Sequence, residues 1–71
     1  MTKEDLKEKY DLAYDNIKFP VKGDEYGHVY DADNNLILDI RGWGRLQYKD
    51  RGEEIMIQME NLIVDLLNSI K

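Results

Sequence analysis

The chain has 71 residues, with 10 Lys and Arg against 15 Asp and Glu, one His, one Pro and no Cys. That length holds one small domain spanning residues 1–71. With 42% apolar and 35% charged residues it is too apolar for a disordered tail and too interrupted for a membrane span. The lack of Cys excludes a disulfide framework, a zinc ribbon and thiol chemistry, and hydroxyl nucleophiles are scarce because Ser occurs only at Ser69 and Thr only at Thr2. Nothing reads as an export signal, so a soluble, cytoplasmic protein is expected.

Thr2 followed by Asp5 has the spacing of a capping box, with Glu4 and Asp5 suited to the positive end of a helix dipole. Leu6, Tyr10, Ala13, Tyr14 and Ile17 then recur at helical spacing within about 100° of arc. Pro20 holds Phe19 extended, so this helix should end near Asn16. Lys18 to Lys22 reads as extended chain suited to an edge strand, and Gly23-Asp24-Glu25 as a turn.

A β-hairpin follows, from Tyr26 to Ala32 and from Leu36 to Arg41, joined by Asp33-Asn34-Asn35 with Asn35 in the left-handed conformation. A three-residue loop sets Ala32 opposite Leu36, Tyr30 opposite Leu38 and His28 opposite Ile40. The six share an apolar face, leaving Val29, Asp31, Ile37, Asp39 and Arg41 on the other. Gly42-Trp43-Gly44 breaks the pattern, and Leu46 and Tyr48 are placed to continue a third strand.

Glu53 to Ile70 is the clearest helix. Ile55, Met56, Met59, Leu62, Ile63, Leu66, Leu67 and Ile70 fall within about 140° of arc, wide enough to cover a sheet. Ile57 and Val64 lie on the far side, among Glu60, Asn61 and Asn68. That pair suggests a second buried side and a homodimer through this helix. The fold class is α+β: an N-terminal helix, an antiparallel hairpin and a C-terminal helix, with both helices packed on one sheet face.

Charge is unevenly placed. Residues 1–40 carry five Lys against ten Asp and Glu, residues 41–51 carry Arg41, Arg45, Lys49 and Arg51 against Asp50, and residues 52–71 carry Lys71 against four acids. A basic island holding Trp43 and Tyr48 thus lies between acidic segments.

The stretch from His28 to Leu46, with its Asp39-Ile-Arg41-Gly-Trp43-Gly-Arg45-Leu46 element, resembles a pattern found in small bacteriophage and prophage proteins. These combine an Asp/Asn/Gly turn, a short apolar strand, an Asp-x-Arg-Gly-Trp-Gly-x-Leu element and a C-terminal helix led by acids. The likeness covers roughly residues 27 to 68. It implies a phage or prophage origin and carries no catalytic residues.

Arg41, Trp43, Arg45 and Tyr48 are the candidate contact residues, because guanidinium groups beside an indole anchor protein partners. The expected partner is a host or phage protein. The alternative is a nucleic-acid-binding module using the Arg41–Arg51 segment, where the same groups meet phosphate and stack on a base. The element order also resembles that of double-stranded RNA-binding domains, but Glu53-Glu54 stand where such a domain uses Lys. An acidic chain is repelled by phosphate in general. Trp43 equally suits the core, with Gly42 and Gly44 making the bend for it. Asp31-Ala-Asp33-Asn-Asn35 matches the opening of a calcium loop, but Leu36 stands where Gly is needed and Gly42 where a bidentate Glu is needed. His28 is the only His, and the carboxylates are spread along solvated faces. No enzyme, cofactor or metal site is expected.

Overall fold

The computed structural model describes residues 2–41 and 50–70. Its elements are α1 (Lys3–Lys9), α2 (Asp11–Asn16), β1 (Lys22–Gly23), β2 (His28–Tyr30), β3 (Leu36–Asp39) and α3 (Gly52–Ser69). The fold is α+β, with a three-stranded antiparallel sheet in the order β1-β2-β3. No helix among the described residues is long and apolar enough to cross a membrane. The three described strands include β1, at the end of the extended segment after Pro20; the strand expected through Leu46 and Tyr48 lies outside the described residues.

The chain starts as the capping box predicts. Thr2 Oγ1 accepts from the Asp5 N–H at 3.1 Å, and Asp5 Oδ2 accepts from the Thr2 N–H at 3.1 Å. The expected single helix is broken at Tyr10, whose backbone leaves the helical region, and restarts at Asp11, whose side chain accepts from the Leu12 N–H at 2.8 Å. A short acidic side chain that bonds its neighbour's backbone competes with the helical ladder. The second piece ends at Asn16 as expected.

The apolar stripe of α1 and α2 does not lie on the sheet. Leu6, Tyr10, Ala13, Tyr14 and Ile17 instead line a groove of about 200 Å³ with Leu67 and Ile70, at the end of α3. Among the described elements only α3 packs against the strands, through β1 and β2. The expectation that both helices cover one sheet face therefore holds for the C-terminal helix alone.

Two five-residue loops of the same design join the strands. Asp24 accepts from the Tyr26 N–H at 2.8 Å and the His28 N–H at 3.2 Å, while its own N–H donates to His28 O at 3.2 Å. Seven residues later, Asp31 accepts from the Asp33 N–H at 2.9 Å and the Asn35 N–H at 2.8 Å, and its N–H donates to Asn35 O at 2.9 Å. An Asp that bonds backbone two and four residues on closes such a turn without help from its neighbours. The fourth residue of each loop, Gly27 and Asn34, has positive φ.

This loop chemistry overturns the expected register. Asp31 and Asn35 close the turn, so its middle is Ala32-Asp33-Asn34, and Asn34 rather than Asn35 is left-handed. Tyr30 consequently pairs with Leu36, Val29 with Leu38 and His28 with Asp39, with an irregularity between Val29 and Tyr30 that leaves Ile37 as the extra residue. The two faces exchange. Val29 is wholly buried and Asp31 is 4% exposed, whereas Leu36 is 54% exposed. Among the described residues the buried apolar core is small, consisting of Val21 and Val29.

The side of α3 that meets the sheet is the polar one. Glu60, fully buried, accepts from the Glu25 N–H at 2.6 Å and the Gly27 N–H at 2.8 Å. Two turns further on, Asn68 accepts from the Val21 N–H at 2.8 Å and donates to Val21 O at 3.0 Å. At about 100° per residue, Ile57 and Val64 lie within about 60° of Glu60, and both are half-buried. The pair expected to face outward for self-association therefore flanks the helix–sheet seam. Leu62 and Leu66, expected to cover the sheet, are 57% and 58% exposed.

Candidate functional site

The described part of the candidate site is the end of β3 and the outer face of the hairpin beside it. Cross-strand pairing sets Asp39 opposite His28, and residues directly opposite in an antiparallel pair share a face. Arg41 lies two residues beyond Asp39 and turns back onto it. Its Nε donates to Oδ1 at 3.1 Å, its Nη2 donates to Oδ2 at 2.8 Å, and its backbone N–H donates to Oδ1 at 3.0 Å. The guanidinium side chain remains 60% exposed.

His28 joins this pair to the β1–β2 loop. Its Nδ1 lies 2.7 Å from Asp24 Oδ2 and its Nε2 lies 4.0 Å from Asp39 Oδ2. An ionised carboxylate only accepts, so Nδ1 carries the proton in that bond. The Tyr30 ring stands 6.2 Å from the imidazole, centroid to centroid. The sequence thus brings Asp24, His28, Asp39 and Arg41 into one charged row.

The row shapes its own titration. The Arg41 side chain and backbone N–H, opposed by partial desolvation, hold Asp39 well below the usual carboxylate range. Asp39 in turn raises Arg41. Partial burial pushes Asp24 up, but the Tyr26 N–H and the His28 ring and N–H outweigh it and leave it lowered. In the other loop the Asn35 N–H is the largest influence on Asp31, which is likewise lowered.

Of the residues expected to make contacts, Arg41 is placed, and Trp43, Arg45 and Tyr48 lie outside the described residues. The spacing of Asp39 and Arg41, two residues apart at a strand end, keeps them within reach of each other but does not by itself select Asp39 over a helix carboxylate. The parts played by Asp24 and His28 are not legible from spacing, because they depend on a loop closing on itself. Asp31, which opens the stretch whose match to a calcium loop fails at Leu36 and Gly42, accepts from the Asp33 and Asn35 N–H groups, with Asn35 Nδ2 at 3.3 Å as a further donor. No group of His, Asp and Glu among the described residues is arranged to hold a metal ion. Compared with protein-family models, curated proteins and solved structures, the chain matches none of them.

Proposed function

We propose that the chain is a non-enzymatic interaction protein of phage type, acting in the host-cell cytoplasm. It binds a host or phage protein through Arg41 and the segment that follows, with Trp43, Arg45 and Tyr48 as the other contacts. The observation that carries this reading is the forked bond from Arg41 to Asp39. A guanidinium anchored by its own chain loses little freedom on binding, while its planar faces and remaining N–H groups stay available to a partner. Arg and Trp together are the residues on which protein interfaces most often depend.

The same pair weighs against nucleic acid. A phosphate approaching Arg41 competes with Asp39 and meets the Asp24 carboxylate beside His28. Counterion release, the main source of phosphate affinity, is small where the cation is already paired.

Two measurements test the reading. The protein captured from a bacterial lysate by the wild-type chain is lost on Arg41→Ala/Arg45→Ala; capture that survives the double change removes these residues from the contact. Titration with duplex and single-stranded oligonucleotides at low salt gives no binding. A salt-dependent complex would replace the protein reading with the nucleic-acid one. The only Trp of the chain is Trp43, so iodide quenching of its fluorescence, relieved by the captured partner, reports directly on that residue.

A further inference from the structure

The outward side of α3 is a row of apolar residues with no described element over it. Ile55, Met59, Leu62 and Leu66 follow at intervals of four, three and four residues, the spacing at which one helix offers a continuous seam to another. The helix meets the sheet through Glu60 and Asn68 on a different side. Leu62 and Leu66 stand more than half exposed, and a shallow depression of about 350 Å³ runs along Ile55, Gln58, Met59 and Leu62.

Two observations select the occupant. The first is the small core: Val21 and Val29 are the only buried apolar residues among those described. A domain of this size commonly adds a disulfide, a metal or a second chain. The sequence has no Cys, and no described cluster suits a metal. The second is the pattern beside the seam. If two copies of α3 run antiparallel with Ile55 against the second copy's Leu66, then Met59 meets its Leu62. Gln58 then lies opposite Asp65, and Met56 opposite Ile63. No like charges face one another. A parallel pair would instead bring both Glu53-Glu54 ends together and align the two helix dipoles.

We propose that a second copy of this chain docks on the Ile55–Met59–Leu62–Leu66 seam, antiparallel and about a two-fold axis between Met59 and Leu62. This interface does not rest on the contacts assigned to Arg41, although Met56 at its edge and the Arg41 side chain both lie beside Gly27.

Sedimentation equilibrium over a roughly hundredfold concentration range tests it. The wild-type chain passes from the 8.4 kDa monomer to twice that mass, and Leu62→Glu/Leu66→Glu weakens the dimer at least about a hundredfold. Both positions are exposed, so far-UV circular dichroism of the variant stays that of the wild type. Arg41→Ala leaves the mass unchanged, which separates this interface from the proposed contact site. A wild-type chain that stays monomeric, or a dimer that survives the double Glu change, overturns the proposal.

Direction is tested by introduced cysteines in a chain that otherwise has none. In the antiparallel pair Ile55 is displaced from its own copy by eleven residues, about 16 Å along the axis, too far for a disulfide. Ile55→Cys alone therefore stays unlinked under mild oxidation, and Ile55→Cys mixed with Leu66→Cys yields a covalent dimer. Efficient linkage of Ile55→Cys to itself overturns the antiparallel arrangement.

Discussion

Glu60 is the residue on which helix and sheet depend together. It is fully buried, and both its oxygens are used by N–H groups of the β1–β2 loop. Removing it takes the acceptor from the buried Gly27 N–H and from the part-buried Glu25 N–H, so Glu60→Ala should cost about 2–4 kcal/mol. Glu60→Gln keeps one acceptor and should cost about 1–2 kcal/mol, both read from urea unfolding. Gly23 belongs to the same contact. A Cβ there would meet the Glu60 carboxyl carbon at 2.8 Å, so Gly23→Ala destabilises the wild type. Combined with Glu60→Ala it should add clearly less, because the side chain it collides with is gone; full additivity in the double-mutant cycle would refute that account.

At the scale of elements, the helices differ in what holds them. α1 depends on its cap, since none of its residues is buried. Thr2→Ala should therefore cost about 1 kcal/mol of local helix stability. It should speed amide exchange over residues 3–9 and leave the global unfolding midpoint nearly unchanged. α3 lacks a side-chain cap and begins from Arg51 in the left-handed conformation, with an Arg51–Glu54 ion pair across its first turn. Its position comes instead from Glu60 and Asn68, two long-range polar clamps on loop backbone. The hairpin depends on its Asp-led turn. Asp31→Ala should lower the unfolding midpoint well below that of Asp33→Ala, because the Asp31 carboxylate accepts from the Asp33 and Asn35 N–H groups of the loop that sets the register.

For the molecule as a whole, the carboxylates set the response to acid. Asp24, Asp31 and Asp39 are all lowered in the folded state. Groups of this kind contribute stability that is present above the unfolded value of about 3.9 and is lost as pH falls toward the folded values. The urea midpoint should be level from neutral pH to about 5 and decline below about 4. Asp39→Asn should flatten part of that decline, since Asn carries no proton equilibrium to be shifted. A decline of unchanged size in the variant would assign the acid sensitivity elsewhere. The net charge of −5 at neutral pH passes through zero near pH 4.7 and is positive below it, so charge repulsion adds to the fall in strong acid, and the Asp39→Asn comparison isolates the share that belongs to this carboxylate.

Read alone, the amino-acid order determines where most elements begin and end, the break at Tyr10 and the exact place of the hairpin turn excepted. The Thr2–Asp5 cap, the stop at Asn16 before Pro20, the Asp- and Asn-rich hairpin turn and the long helix after residue 51 are local matters of backbone chemistry, and the structure has each of them. What it leaves open is which side of each element faces inward. Two sides of the last helix carry apolar residues, and both faces of the hairpin do, so periodicity assigned Ile57, Val64 and Val29 to the outside. Tertiary structure reversed those assignments through polar groups. Asp31 moved the turn by one residue, which exchanges the faces of a strand with a two-residue repeat. Glu60 and Asn68 turned the helix because stranded loop N–H groups are costly once buried. The Arg41–Asp39 pair joins residues two apart at a strand end, which covalent geometry keeps within reach, while the link through His28 to Asp24 required a loop to close. Near neighbours in the chain are constrained by covalent geometry, but partners 33 to 47 residues apart, such as Glu60 with Gly27 and Asn68 with Val21, meet only when the whole chain has folded.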